Sequence, residues 1–354
     1  MDIRQNTLFL TTENTYVGRD HLTLRIEIDK QLRLAVPVHH LESVCVFGYN
    51  IALSPAALQL CWENGVAVNY LSEHGYLLGR WEGVPRSSVL LRQAQFRAAD
   101  NPAMAAEIAG QCVTGKIQNA RVSLLRSARE TDSETDRAQL QQCAADLQLL
   151  LRRLQHPADE DPGGTVRTLT DRIRGYEGQA ASLYFAVFDG HLRGQRADFS
   201  FTTRSRRPPR DLVNCLLSYL YALVRHDCIA ALTATGLDPF VGFLHAVRAN
   251  RPALALDLME EFRPLIADRL AMTLINRKQI TKSDFVVRDG GAVEFTPAGR
   301  KTVISAYQER KKETVTHPLL QQECPVGQLY LIQARILARR LRGDLEQYLP
   351  CVLK

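Results

Sequence analysis

The chain has 354 residues, 45% of them hydrophobic and 23% charged, which excludes a disordered or collagen-like chain and leaves room for two domains. Its longest apolar run, Cys215 to Val224, is broken by Ser218 and falls short of the ~20 residues that cross a bilayer. The opening MDIRQNTLFLTTENTY lacks the basic start and apolar centre of a signal peptide, so the sequence reads as cytoplasmic and without a membrane partner. The net charge is +6 and unevenly spread. Residues 1–90 hold seven basic and nine acidic side chains, whereas Arg193–Arg210 alone holds six Arg and one Asp. Such a local basic patch favours a polyanion, because neutralising phosphates releases counterions; the plainer reading is a solvated loop.

In chain order, residues 20–90 repeat with a period near two. HLTLRIEID, QLRLAVPV and SVCVFG read as strands. SPAALQLCWENG reads as a short helix, with Ser54 as N-cap, Pro55 in the first turn and Gly65 as stop. VAVNYLS and YLLGRW return to strand character around a turn-like EHG, and the pattern changes near VPRSS (84–88). From about residue 90 the period is helical: VLLRQAQFRAA, then AMAAEIAGQCVTGKIQNARVSLLRSARE, then RAQLQQCAADLQLLLRRLQ. HPADEDPGGT (156–165) reads as a loop, and RTLTDRIRGYEGQAASLYFAVF as a helix. Further helices are predicted over 212–233, 241–249 and 253–276, a hairpin over 286–295, and a last helix over GQLYLIQARILARRLRGDLEQYL. The expected fold class is α+β: an N-terminal β-rich domain over 1–88, then a larger all-α domain over 89–354.

None of the eight cysteines forms a CxxC pair, so they read as small core residues of a reducing compartment. Polar residues interrupt apolar helical patterns in three places. Glu177 lies beside Gly175 and Gly178 in GYEGQAASLYF, where two glycines let other backbone come close; alone it reads as an exposed glutamate at a helix start. His245 lies on an apolar face of DPFVGFLHAVRAN and alone reads as a core histidine. Asp257, Glu260 and Glu261 break the apolar LALDLMEEFRPLIADR, with Asp257 on one face with both glutamates. They read either as a stripe paired to Arg263 or Arg269, or as carboxylates that need a metal ion among Leu256, Leu258, Met259 and Phe262. An N/O donor set without thiolates favours Mg²⁺ or Mn²⁺ and, beside a basic patch, phosphodiester chemistry.

Two rivals fit some of these residues. His245-Ala-Val-Arg248 is an HxxR, the pattern tyrosine recombinases place beside a nucleophilic tyrosine, and Tyr307 lies downstream. That chemistry leaves Glu177 and the acidic helix unexplained. A non-catalytic nucleic-acid scaffold would leave the acids merely paired with arginines.

GYEGQAASLYF, RSRRPPRDLVNCLLSYLYALV and DPFVGFLHAVRANRPALALDLMEEFRP, in this order, resemble the glutamate motif, the Arg-Pro-Pro stretch and the histidine motif with acidic helix of the CRISPR-associated Cas-one integrases, most closely those of type I-C systems. VPVHHLESVCVFG and SPAALQLCWENGVAVNYLSEHGYLLGR are similar to the family's β domain. The resemblance implies metal ligands at Glu177, His245 and Glu260, with Asp257, Glu261, Arg248 and Asn214 nearby in support. DNA would meet Arg204, Arg206, Arg207 and Arg210. It further implies a metal site in the helical domain, a homodimer formed through the β domain, a Cas-two dimer as partner, assistance from a Cas-four nuclease, and insertion of short DNA fragments into the CRISPR array.

Overall fold

The computed structural model describes residues 6–72, 77–81, 83, 89–155 and 166–353. The chain divides into two compact units, Met1–Ser87 and Ser88–Lys354.

The first unit has two sheets and one helix. Strands β1 (Asn6–Leu10), β2 (Thr15–Asp20), β3 (Thr23–Ile28), β4 (Gln31–Pro37), β5 (Leu41–Phe47) and β6 (Ile51–Leu53) precede helix α1 (Pro55–Glu63), with β7 (Ala67–Leu71) and β8 (Leu77–Trp81) after it. One sheet runs β1-β5-β7-β8 and the other β4-β3-β2-β6. Alternation puts Val17, Leu24, Ile26, Val44, Val46 and Val68 into one apolar cluster with Leu58, Leu60 and Cys61 of α1. The start of α1 is as expected: the Ser54 hydroxyl accepts from the Ala57 amide at 3.1 Å and Pro55 opens the first turn. β1, β2 and β6 lie where the alternation does not read as strand. Edge strand β4 turns Leu32 and Leu34 outward.

The second unit is mainly helical. It contains α2 (Val89–Asp100), α3 (Pro102–Glu130), α4 (Glu134–Gln155), α5 (Val166–Ala186), α6 (Leu212–Thr235) and α7 (Ala253–Phe262). A π turn (Arg263–Asp268) leads from α7 into α8 (Arg269–Asn276). Hairpin β9 (Phe285–Val287) and β10 (Val293–Phe295) follows, then α9 (Pro297–Lys312), the pair β11 (Thr314–Thr316) and β12 (Glu323–Pro325), and α10 (Leu329–Arg342). α3 packs on α4, α5 and α7, and α6 on α7 and α10. α6 has the length and composition of a membrane span, but 78% of its apolar window is buried inside the chain, as in a core helix.

Several expectations are corrected. Residues 241–249 form no helix; the whole stretch from Gly236 to Pro252 is irregular. Asp257 of α7 draws three consecutive amides, those of Phe243, Leu244 and His245, out of helical pairing. Gly242 presses so close to α7 that a Cβ there would meet Ala253 backbone at 2.7 Å. The helix expected over 253–276 is broken into α7, π turn and α8 because Pro264 offers no amide to the carbonyl four residues back. The last helix stops at Arg342, where Gly343 takes a left-handed φ of 84°. α9 is a further helix beyond those expected, although Thr296-Pro297 is a helix-start signal. The loop expected over 156–165, the EHG turn and the VPRSS boundary lie outside the described residues. All eight cysteines are buried and free.

After Gly343 the chain runs back over α3 and α7. Asn119 of α3 donates to the carbonyls of Glu261 and Cys351 at 2.9 and 2.8 Å. The Glu261 carboxylate accepts from Tyr348 Oη at 2.5 Å, the Cys351 amide at 2.7 Å and Gln333 Nε2 at 3.1 Å. Glu261 is thus an anchor for the C-terminal segment. Its partners lie on the tail and α10, whereas those of Glu260 lie on α3 and the π turn. Burial pushes its carboxyl up to about 8, against the lowering pull of Tyr348, Cys351 and Gln333.

Two outcomes follow from this seam. A Cβ at Gly115 of α3 would meet Pro350 Cβ at 2.7 Å and Glu261 Cγ at 3.0 Å. Gly115→Ala should therefore destabilise the protein by about 1–3 kcal/mol in denaturant titration; a loss near zero would mean the tail simply moves aside. The Glu261 value lies above the ordinary 4.5, so the folded protein keeps a proton the unfolded chain has released. Its contribution to stability is complete below about pH 4.5 and declines as pH rises to about 8. In Glu261→Gln the fall of melting temperature between about pH 5 and about pH 8 should be shallower than in wild type; an unchanged slope would assign the titration to another group.

Candidate metal centre

Glu260 forms the floor of the candidate site. It sits on the last turn of α7, and only 1% of its surface is exposed. Its Oε1 accepts from Arg263 Nη1 at 2.8 Å, and Oε2 lies 2.7 Å from the ammonium of Lys116 on α3. Burial alone would raise the Glu260 carboxyl, but Arg263 and then Lys116 hold it well below the usual carboxylate range. Arg263 is itself fixed: its guanidinium lies 4.3 Å from the centre of the Tyr221 ring, and Tyr221 donates to the buried Asp268 at 2.5 Å.

Glu177 enters from α5, where it lies in mid-helix rather than at a helix start. Its carboxylate pairs with the same Lys116 ammonium, and its side chain keeps 27% of its exposure. A Cβ at Gly175 or Gly178 beside it would meet nothing within 4 Å, so among the described residues no backbone of another element comes close there.

His245 arrives on the irregular segment, and Asp257 places it. Asp257 Oδ1 accepts from the His245 amide at 2.9 Å and pairs with its Nδ1 at 2.7 Å, while Oδ2 takes the amides of Phe243 and Leu244 at 2.6 and 3.0 Å. Each of these buried amides would cost about 1–3 kcal/mol if left without its acceptor. With Nδ1–H given to Asp257, the Nε2 lone pair remains for a metal, the usual carboxylate–histidine–metal arrangement. Two side chains brace the segment from outside. Gln95 of α2 donates to the carbonyls of Asp238 and Val241, both at 2.8 Å. Arg174, one turn before Glu177 on α5, donates to the Leu244 carbonyl at 2.6 Å.

The donors suit a hard divalent ion. Glu260 Oε2 is buried and accepts no hydrogen bond, a carboxylate oxygen with only a charge opposite it. Among the described residues no three of His, Cys, Asp and Glu already stand in ligating arrangement. Lys116 occupies the space between the two glutamates.

The other expected residues are placed differently. Asp211 caps the start of α6 by accepting from the Asn214 amide at 2.7 Å, and the Asn214 side chain ties Arg204, Ser205 and Thr203. Arg204 also donates to Ser218 at 3.0 Å, is half-buried, and has its pKa lowered by burial, so part of its guanidinium is engaged within the fold. Arg206, Arg207, Arg210 and Arg248 are exposed. Tyr307, the nucleophile of the rival reading, is 1% exposed and donates to Asp227 at 2.7 Å, which removes it from any surface chemistry. Lys116, Arg174 and Gln95 do not stand out in the sequence. Only Lys116 leaves a signal there, as a lone cation among Cys112, Val113, Ile117 and Ala120.

Residues 8–309 match the family model described as CRISPR associated protein Cas1. The "CRISPR-associated endonuclease Cas1 1" of Moorella thermoacetica is 46% identical over 99% of both chains. A "CRISPR-associated exonuclease Cas4/endonuclease Cas1 fusion" of Geobacter sulfurreducens is 35% identical over 98% of this chain and 60% of its own length. Among solved structures, "Casposase bound to integration product" superposes with a TM-score of 0.79 at 22% identity, covering 97% of this chain and 92% of the other, a likeness of fold. "Cas6-RT-Cas1--Cas2 complex" superposes with a TM-score of 0.78 at 25% identity, covering 99% of this chain and 36% of the other. By the match of its family model and by near full-length identity to curated relatives, the chain belongs to the Cas1 family of CRISPR-associated endonucleases.

Proposed function

We propose that this chain is the metal-dependent DNA integrase and endonuclease of CRISPR adaptation, with Glu177, His245 and Glu260 as ligands of Mg²⁺ or Mn²⁺. The observation that carries the site reading is the pair of carboxylates, Glu177 and Glu260, converging on a single cation beside a histidine already oriented by Asp257. When bound, the ion supplies Lewis acidity that stabilises charge on the phosphorane and favours deprotonation of the attacking hydroxyl.

The rest falls to the side chains. Arg263 and Asp257 hold Glu260 and His245 in place. Glu177, with 27% of its side chain exposed, stays within reach of a DNA strand. Arg206, Arg207 and Arg210 neutralise its phosphates. The 3′-hydroxyl of the incoming fragment attacks a phosphodiester at the repeat edge; one phosphodiester bond forms, one breaks, and the displaced strand leaves with a 3′-hydroxyl. DNA supplies its own nucleophile, so the enzyme forms no covalent intermediate. With water as nucleophile the same site is a nuclease.

The partners follow the relatives: Cas2, from the named complex, and a Cas4 nuclease, from the fusion. A homodimer would form through the first unit, where Leu32 and Leu34 face outward on an edge strand. The setting is cytoplasmic.

In an integration assay with the Cas2 partner, Glu177→Ala, His245→Ala and Glu260→Ala should each abolish strand transfer that Mg²⁺ or Mn²⁺ supports and chelator stops. Wild-type turnover in any one removes that residue from the ligand set. DNA affinity should fall steeply with salt. Replacing Arg206, Arg207 and Arg210 by alanine should make the log–log slope shallower by about 0.9 for every phosphate no longer neutralised on duplex DNA. If the triple alanine variant keeps the wild-type slope, the patch is only a solvated loop.

A further inference from the structure

Lys116 stands where the two carboxylates meet. Its ammonium touches Glu177 Oε1 and lies 2.7 Å from Glu260 Oε2. Among the described residues no other partner holds it. Arg263, the second cation of the site, is bound on three sides: to Glu260, over the face of Tyr221, and electrostatically to Asp268. The two cations therefore differ. Arg263 is built in, and Lys116 is held only by the carboxylates it neutralises.

The backbone under Lys116 is fixed. Gly115 packs against Pro350 and Glu261, and Asn119 is bonded to Glu261 and Cys351. Lys116 can therefore leave the carboxylates only by turning its own side chain, which has four rotatable carbons and a readily hydrated head. A divalent ion bound to the same oxygens cannot share them with an ammonium, since like charges at that separation repel strongly in a buried site. The charges agree: Glu177, Glu260 and Asp257 carry three negatives, which a divalent ion and Arg263 neutralise between them once Lys116 has left.

We propose that Lys116 is the resident counter-cation of the metal-free site, and that a divalent ion enters only by expelling its ammonium from between Glu177 and Glu260. Lys116 thereby sets the metal affinity of the free protein. This rests on the metal-site reading above. It explains why the carboxylates stay together at the floor of a buried site before metal arrives, where unpaired they would repel.

The test is Mn²⁺ binding to the full-length protein without DNA, followed by calorimetry and by the Mn²⁺ paramagnetic signal. Lys116→Met keeps the apolar stem and removes the charge. It should bind Mn²⁺ roughly tenfold tighter or more, the size of effect common for groups around metal ligands. Its metal-free melting temperature should be lower than wild type and recover with Mn²⁺. Lys116→Arg should keep wild-type or weaker Mn²⁺ affinity. Lys116→Gln replaces the Met variant if that one does not fold. Unchanged or weakened Mn²⁺ affinity in a folded, neutral variant overturns the proposal, as does equal tightening in Lys116→Arg. Glu177→Gln separates the two readings. If it leaves wild-type Mn²⁺ binding intact, the metal site itself falls and Lys116 with it; if it removes binding but the neutral variants fail to tighten, only the role of Lys116 falls.

Discussion

A carboxylate buried on the last turn of α7 makes the strongest demand in the helical unit. Glu260 has almost no contact with water, so it requires cations delivered to it by neighbouring elements. Arg263 comes from the π turn one step on, and Lys116 from α3 across the helix interface. Much of the local architecture serves those deliveries. Pro264 loosens the helix just beyond Glu260, and Tyr221 and Asp268 pin the guanidinium. A buried ion pair of this kind adds little to stability compared with apolar packing.

Asp257, one turn earlier on the same helix, solves a different problem. Its negative charge gathers the amides of residues 243–245 and so ends any chance of helix there. That interaction turns an apolar sequence into an arm that presents one imidazole. Gly242 allows the arm to lie against α7, Gln95 and Arg174 hold it from α2 and α5, and His245 is left with one ring nitrogen to offer. Asp257 is thus as much a builder of this part of the fold as Glu260.

The β-rich start and the helical remainder are legible because periodicity is a local property of a sequence, and motif order carries the family. α1 was readable down to its cap for the same reason. What escaped depends on contacts between residues far apart. No pattern around residue 245 announces that an aspartate twelve positions later will capture its backbone. Glu260 and Glu261 look alike in the sequence and differ only in what α3, α10 and the tail bring to each side of α7. The partners of Arg204, Asn214 and Ser218, are equally hidden, because an arginine in a basic stretch looks solvated until they are placed. Lys116 gives little away because a single cation in a long helix is ordinarily a surface residue.

Glu260 and Glu261 are successive residues of one helix, about 100° apart around its axis. The side facing away from the site is tied to the end of the chain by Tyr348, Gln333 and Cys351. These ties act on α7 like a set screw, fixing the rotation at which Glu260 is aimed. The last residues, remote in sequence from Glu260, thus belong to its mechanical setting. A change that displaces Tyr348 or Cys351 is therefore felt on the helix that carries Glu260.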